Sequence, residues 1–70
     1  MESFKLKENE EYIELNSLMK VLHWVASGGE AKMRIDGGEV KVNGEVETRR
    51  RKKMKAGDVA AFGGDSVTVS

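Results

Sequence analysis

The chain has 70 residues, with twelve basic and twelve acidic side chains, one histidine and no cysteine, so its formal net charge is zero. This length suits one domain and is too short for two, and it leaves little volume for a deep catalytic cavity. The lack of cysteine excludes disulfides, thiolate zinc sites and cysteine nucleophiles, and one histidine cannot form a histidine-rich metal site.

The first predicted elements are a short strand and an amphipathic helix. Residues 10–14 contain Tyr12 and Ile13 and are predicted to form the strand. Four apolar residues follow at the spacing i, i+3, i+4 and i+7, which puts them on one face of a helix. They are Leu15, Leu18, Met19 and Leu22. Either Glu14 or Asn16 can cap the start of this helix.

A second short helix is predicted to begin after Ser27. Ser27 and Glu30 form a capping-box pattern, in which the hydroxyl accepts from the N–H of Glu30 and the carboxylate reaches back to the N–H of Ser27. The helix is expected to run to about Asp36, with Ala31 and Ile35 facing inward. One of the two glycines that follow supplies the left-handed residue that ends it.

The second half of the chain predicts antiparallel strands. Val40–Val42 and residues 45–47 alternate in polarity around Asn43-Gly44, a strong hairpin pattern because both turn residues need positive φ. Glycine-containing turns bound two further strands, which are Val59–Phe62 and residues 67–69. The elements predict an α+β fold of two short helices followed by a small, mostly antiparallel sheet, in one domain over residues 1–70.

Charge is unevenly distributed along the chain. Residues 1–30 carry three basic and six acidic side chains, net −3, and residues 31–55 carry nine basic and four acidic, net +5. Residues 56–70 carry two acidic side chains and no basic one, net −2. The middle section therefore creates a local positive field, and a local field of one sign is what attracts a charged partner.

The densest part of this section is residues 49–55, the basic run, where six of seven residues are lysine or arginine. Such close like charges repel one another, and an RNA backbone offsets the repulsion while releasing counterions. On a strand, Arg49, Arg51 and Lys53 would share one face, whereas in a loop all six cations can reach outward. The competing interpretation is a solvated charge run or a localisation signal.

Separated blocks of the sequence resemble a known family. In order they read Ser-x-x-x-Ala, Gly-x-Val-x-Val-Asn-Gly and Gly-Asp-Val. The matching residues are Leu18, Ser27, Ala31, Ile35, Gly38, Val40, Val42, Asn43, Gly44, Gly57, Asp58 and Val59. The chain is in this respect similar to the S4-like RNA-binding domain, also called the αL RNA-binding motif, and within it to the stand-alone bacterial YbcJ-like or YaaA-like group.

The resemblance implies binding of structured or ribosomal RNA through a basic face formed by the second helix and the following hairpin. Many members of the wider family carry arginine directly after the serine, where this chain has Gly28, so one side-chain contact is lost. Backbone amides and the basic run are expected to carry the binding instead. The expected RNA contacts are Lys32, Arg34, Lys41, Arg49, Arg50, Arg51, Lys52 and Lys53.

Several other residues have both a functional and a structural interpretation. Lys32 and the Gly28-Gly29 pair lie at the start of the second helix, where a phosphate can approach the backbone, but a tight turn and a solubilising lysine explain them equally well. Trp24 can stack on an unpaired base, yet the core of a small protein needs its area. His23 is expected at the helix end or on the surface.

The carboxylates of the motif region give no reason to predict catalysis, because nothing in their spacing brings two of them together in a cleft. Asp58 is expected to hydrogen-bond the backbone of its own turn. Glu45 and Glu47 are expected to pair with arginines across the hairpin, each exposed pair contributing up to about 1 kcal/mol.

The predicted function is RNA binding without catalysis, metal, cofactor or small-molecule substrate. No apolar run approaches the roughly 20 residues that cross a bilayer, and residues 1–5 lack the apolar core of a signal peptide. The protein is expected to be a cytoplasmic, ribosome-associated monomer. The alternative is a protein–protein interaction module without direct RNA contact, in which the acidic residues 8–14 face one partner and the basic face meets another.

Overall fold

Two helices and seven short strands make up residues 2–70, the part of the chain that this computed structural model describes, and they confirm the predicted α+β class. In chain order they are β1 (Glu2–Phe4), β2 (Ile13–Glu14), α1 (Leu15–Val21), α2 (Gly28–Asp36), β3 (Val40–Val42), β4 (Glu45–Val46), β5 (Lys53–Met54), β6 (Val59–Phe62) and β7 (Asp65–Val69). Neither helix within these residues is long and apolar enough to cross a membrane.

The strands form two sheets. The larger has the order β1-β7-β6-β3-β4, and the smaller pairs β2 with β5. The pairing is antiparallel as predicted, except that β1 runs parallel to β7. Our sequence analysis did not predict β1, because its three residues show no strand pattern and pair with residues 67–69 at the other end of the chain.

The hydrophobic core is shared by the two helices and one face of the larger sheet. Ala31 and Ile35 face inward from α2, as predicted, and Val40 and Val42 are buried on either side of the exposed Lys41. This alternation follows from the two-residue period of a strand. The buried residues are Leu15, Leu18, Met19, Val25, Ala31, Ile35, Val40, Val42, Met54, Ala60, Val67 and Val69.

Helix α1 ends in a Schellman motif that turns the chain back onto the core. The N–H of His23 donates to the carbonyl of Lys20 at 3.1 Å, and the N–H of Trp24 donates to the carbonyl of Met19 at 3.0 Å. His23 has a φ of 60° and is exposed at the helix end, as expected. Trp24 packs against the core with its ring centroid 6.0 Å from that of Phe62, which agrees with the structural interpretation.

Helix α2 begins with half of the predicted capping box. The Ser27 hydroxyl accepts from the N–H of Glu30 at 3.2 Å, as predicted. The Glu30 carboxylate accepts from Ala26 at 2.8 Å, so the expected bond to the N–H of Ser27 was wrong. Successive N–H groups of an extended segment point to opposite sides, and Ser27 is extended, so only one of the two can meet the carboxylate. Beyond the helix, Gly38 supplies the left-handed residue with a φ of 77°.

The hairpin between β3 and β4 turns at Asn43-Gly44 with φ values of 52° and 86°, which confirms the predicted turn. The Asn43 side chain also connects this turn to the start of β6. Its Oδ1 accepts from the N–H of Val59 at 2.9 Å, and its Nδ2 donates to Oδ1 of Asp58 at 3.1 Å. One asparagine therefore supplies both the left-handed backbone and the contact between two loops.

Replacing Asn43 with alanine is expected to lower the free energy of unfolding by about 1–2 kcal/mol. Alanine adopts positive φ poorly, and it leaves the N–H of Val59 and the carboxylate of Asp58 without this partner. Thermal denaturation followed by circular dichroism should show a Tm lower by about 5–15 °C. Thr48→Ala, at an exposed loop position, is the control and should leave the Tm nearly unchanged. Equal Tm values for the two variants would contradict a stabilising role of Asn43 in the turn.

Candidate functional site

The basic run is mostly a loop, and only its Lys53–Met54 part forms a strand. Two backbone hydrogen bonds attach the loop to the start of α1. The N–H of Leu15 donates to the carbonyl of Lys52, and the N–H of Asn16 donates to the carbonyl of Arg50, both at 2.9 Å. Because the first N–H groups of a helix have no acceptor within the helix, the loop carbonyls satisfy them and the loop backbone is fixed in turn.

Met54 anchors the basic run to the core. It is the single apolar residue of the run and is fully buried, whereas its neighbours Lys53 and Lys55 are exposed. Burying a methionine side chain contributes about 1.5–3 kcal/mol, which offsets part of the repulsion between the surrounding cations. The buried Met54 side chain therefore attaches the basic run to the core, while the neighbouring lysines stay exposed to solvent.

Five cationic side chains line an open groove of about 500 Å³, here called the basic groove. They are Arg49, Arg51, Lys52, Lys53 and Lys55. The first four were among the expected RNA contacts, whereas Lys55 belongs to the same run but was not among them. Arg50 was also expected and does not line the groove. Among the described residues, no carboxylate lines it, so the groove is suited to a polyanion.

A smaller pocket of about 280 Å³ shares Arg49 and Lys52 with the basic groove. Its other lining residues come from the β3–β4 hairpin and the residue after it, and they include Glu45 and Glu47. The concave surface therefore continues from the groove toward the hairpin, the element to which the resemblance assigns part of the contact face.

Glu47 holds Arg49 through a bidentate ion pair. The Nε of Arg49 donates to Oε2 of Glu47 at 2.9 Å, and its Nη2 donates to Oε1 at 3.2 Å. The side-chain bond from Arg49 lowers the pKa of Glu47, and the same bond raises the pKa of Arg49. The expected pairing across the hairpin was wrong, because Glu47 lies beyond the end of β4 and meets the arginine two residues along the chain.

A second carboxylate holds Arg51. The Nε of Arg51 donates to Oε2 of Glu14 at 3.3 Å, and Glu14 is the residue immediately before α1. Of the two caps left open by the sequence, Glu14 occupies the cap position but makes no side-chain capping bond. Arg51 is 76% exposed and Arg49 72%, so both guanidinium groups remain accessible to a ligand.

Asp58 positions the backbone next to Lys55 at the end of the basic run. Its Oδ2 accepts from the N–H of Lys55 at 2.8 Å, which confirms the expected contact with the backbone of its own turn. This backbone bond, aided by the side chain of Asn43, lowers the pKa of Asp58. The same carboxylate thus serves both the hairpin contact and the groove.

The three expected contacts on α2 and β3 do not line the basic groove. Lys32 and Lys41 are exposed on the surface. Arg34 lies between two carboxylates, with its Nη2 3.7 Å from Glu30 and its Nη1 3.3 Å from Glu39, so much of its charge is offset. Contact between these three residues and RNA stays a prediction.

Lys20 is a cation near α2 that the sequence analysis missed. Its Nζ lies 3.9 Å from the position that a Cβ on Gly28 would occupy. The resemblance implies an arginine at the position of Gly28, and here a lysine from α1 brings positive charge close to that position. No local pattern could have indicated this, because the two residues meet only when α1 packs against α2.

The described residues contain no group of three or more histidine, aspartate or glutamate side chains able to hold a metal ion. The site consists of a loop that carries cations, two of which, Arg49 and Arg51, are each paired with one carboxylate. Such an arrangement binds a polyanion by charge and by hydrogen bonds from arginine and lysine.

Comparison with known proteins gives consistent matches. A profile of the S4 domain family matches residues 4–70. The chain is 48% identical over 58 residues to YbcJ of Escherichia coli (strain K12), whose name proposes RNA binding, and to YbcJ of Shigella flexneri, covering 83% of this chain and 83% of each relative. The solution structure of E. coli YbcJ, described as revealing an αL motif involved in RNA binding, matches with a TM-score of 0.73 and 45% identity over 99% of this chain and 86% of that chain.

Lowering the pH is expected to destabilise the protein partly through Asp58. Its pKa is below the ordinary 3.8, so its contribution is complete above that value and is lost as the pH falls through the folded-state pKa. Asp58→Asn should therefore be less stable than the wild type near pH 7, and the difference should shrink as the pH falls below the ordinary 3.8. Urea denaturation at several pH values measures this difference. A difference that is independent of pH would contradict an ionised, hydrogen-bonded carboxylate.

Proposed function

The chain belongs to the S4 domain family, and on that premise we propose that it binds RNA through the basic groove. The observation that carries the proposal is the set of five cations around one open groove of about 500 Å³. Their backbone is fixed by α1 and β2, so little conformational entropy is lost when a ligand binds. The name of the E. coli relative and the description of its solution structure both refer to RNA binding, which supports the choice of polyanion.

Phosphate groups are the part of the RNA that this groove recognises. Arginine guanidinium groups donate two parallel hydrogen bonds to a phosphate, and lysines act as point charges. The carboxylates of Glu47 and Glu14 keep Arg49 and Arg51 oriented in the free protein. Because the guanidinium group of each pair is exposed to solvent, a phosphate can bind it and release counterions.

The proposal concerns structured RNA recognised by shape. Phosphate contacts determine orientation and affinity but carry no base sequence, and the order of the cations along a fixed loop requires a matching spacing of phosphates. That the RNA is ribosomal, and that the protein acts as a monomer in the cytoplasm, stay predictions made from the sequence.

Removing two charges from the basic groove is expected to weaken RNA binding about 10- to 100-fold at low salt, because each phosphate contact contributes through counterion release. The variant is Lys53→Gln with Lys55→Gln, since both lysines are exposed and neither forms an ion pair with another residue of the described range 2–70. Arg49 and Arg51 are left intact because their loss would leave carboxylates unpaired. The matched control is Lys5→Gln with Lys7→Gln, which changes the net charge equally at exposed positions outside the groove.

Fluorescence anisotropy with a labelled RNA stem-loop, at about 50 and 200 mM salt, measures the effect. The slope of log affinity against log salt should decrease in magnitude by about two for the groove variant and remain unchanged for the control. Equal losses in both variants would contradict the groove as the contact surface. If the wild type binds neither RNA nor duplex DNA at the lower salt, the proposed function is wrong and the protein-interaction alternative takes its place.

A further inference from the structure

We propose, on the basis of the RNA-binding function argued above, that Tyr12 is a stacking site for one unpaired nucleobase at the edge of the basic groove. The base would be that of a nucleotide whose phosphates lie against Lys53 and Lys55. Tyr12, which lies outside the basic run, would then select RNA that contains an unpaired nucleotide.

The register of the small sheet puts Tyr12 on the same side as the groove lysines. Ile13 pairs with Met54 and Glu14 pairs with Lys53, so continuing the antiparallel register by one residue sets Tyr12 opposite Lys55. Side chains alternate along a strand, and Met54 is fully buried. The outer face of this sheet therefore carries two groove lysines, one carboxylate and one aromatic ring, which are Lys53, Lys55, Glu14 and Tyr12.

A direct contact joins the ring to the groove. The Nζ of Lys53 lies 5.2 Å from the centroid of the Tyr12 ring, which is a cation–π distance. Lys53 also lines the groove, so the same lysine contacts the ring and forms part of the groove. A nucleotide bound to this lysine through its phosphate is close enough to place its base on the ring.

Tyr12 is the aromatic side chain that remains available for stacking. It is 37% exposed, whereas the other aromatic residues among residues 2–70 are partly buried against the core. Trp24, for example, has its ring 6.0 Å from that of Phe62 and is committed to packing. A cationic groove flanked by an exposed aromatic ring is the combination by which proteins hold single-stranded nucleotides.

Stacking on Tyr12 would favour an unpaired nucleotide without selecting its identity, because every base presents a π-face and a base inside a duplex does not. The phosphate contacts of the groove serve both paired and unpaired RNA. The ring adds binding energy only when a base can leave its stack, so the protein would bind bulged or looped RNA more tightly than an uninterrupted helix.

The test compares two labelled RNA stem-loops that differ by one bulged adenine in the stem. The variants are Tyr12→Ser, which removes the ring, and Tyr12→Phe, which keeps it. Met33→Ser is the control, since Met33 is a 69% exposed apolar residue on α2 that does not line the groove. Circular dichroism verifies that each variant is folded, and fluorescence anisotropy measures affinity for both RNAs.

The wild type is expected to bind the bulged stem about tenfold more tightly than the paired stem. Tyr12→Ser should lose this preference while keeping the affinity for the paired stem, and Tyr12→Phe and Met33→Ser should both retain it. Equal wild-type affinity for the two stems, or an equal loss on both stems in Tyr12→Ser, would overturn the stacking site while leaving RNA binding intact. Failure of the wild type to bind either stem removes the proposed function together with this inference.

Discussion

The first turn of α1 donates two backbone hydrogen bonds to the carbonyls of Lys52 and Arg50, and the geometry of the basic groove depends on this contact. A run of six cations in seven residues has no tendency of its own to adopt one conformation, because its charges repel. The helix start needs acceptors for its free N–H groups, and the loop needs a fixed backbone. The loop carbonyls accept from the N–H groups of the helix, and these hydrogen bonds fix the loop backbone in turn. Met54 adds a buried apolar contact beneath the loop.

Carboxylates then determine which cations remain available. Arg34 is surrounded by Glu30 and Glu39, and its charge is largely offset on α2. Arg49 and Arg51 each meet one carboxylate at the side of the groove and are about three-quarters exposed. Lys52, Lys53 and Lys55 complete the lining of the groove. The chain has no net charge, yet its charges are separated in space: acidic residues orient some cations, and the lining of the groove within residues 2–70 is entirely basic.

The proposed interface combines this charge with one aromatic ring supplied by another part of the chain. Tyr12 precedes β2, and β2 pairs with the strand that carries Lys53. A change in the small sheet would therefore move the ring and the groove together. The paired residues Ile13 and Met54 form the inner side of the two-residue strands and pack on the core, so the core sets the distance between the two recognition elements.

Local patterns in the sequence were sufficient for the helices, the Asn43-Gly44 hairpin, the last two strands and the concentration of positive charge, because spacing, turn conformation and charge are properties of neighbouring residues. The family was indicated by a resemblance, and the motif residues that carry it lie at caps, turns and core positions of those elements. Local patterns did not indicate β1, the groove itself, the ion pair between Arg51 and Glu14 or the position of Lys20. Tertiary structure decided these features: Glu14 and Arg51 are 37 positions apart, and β1 pairs with the end of the chain. Contacts between residues so far apart arise only when the core brings their elements together, so no periodicity along the chain records them.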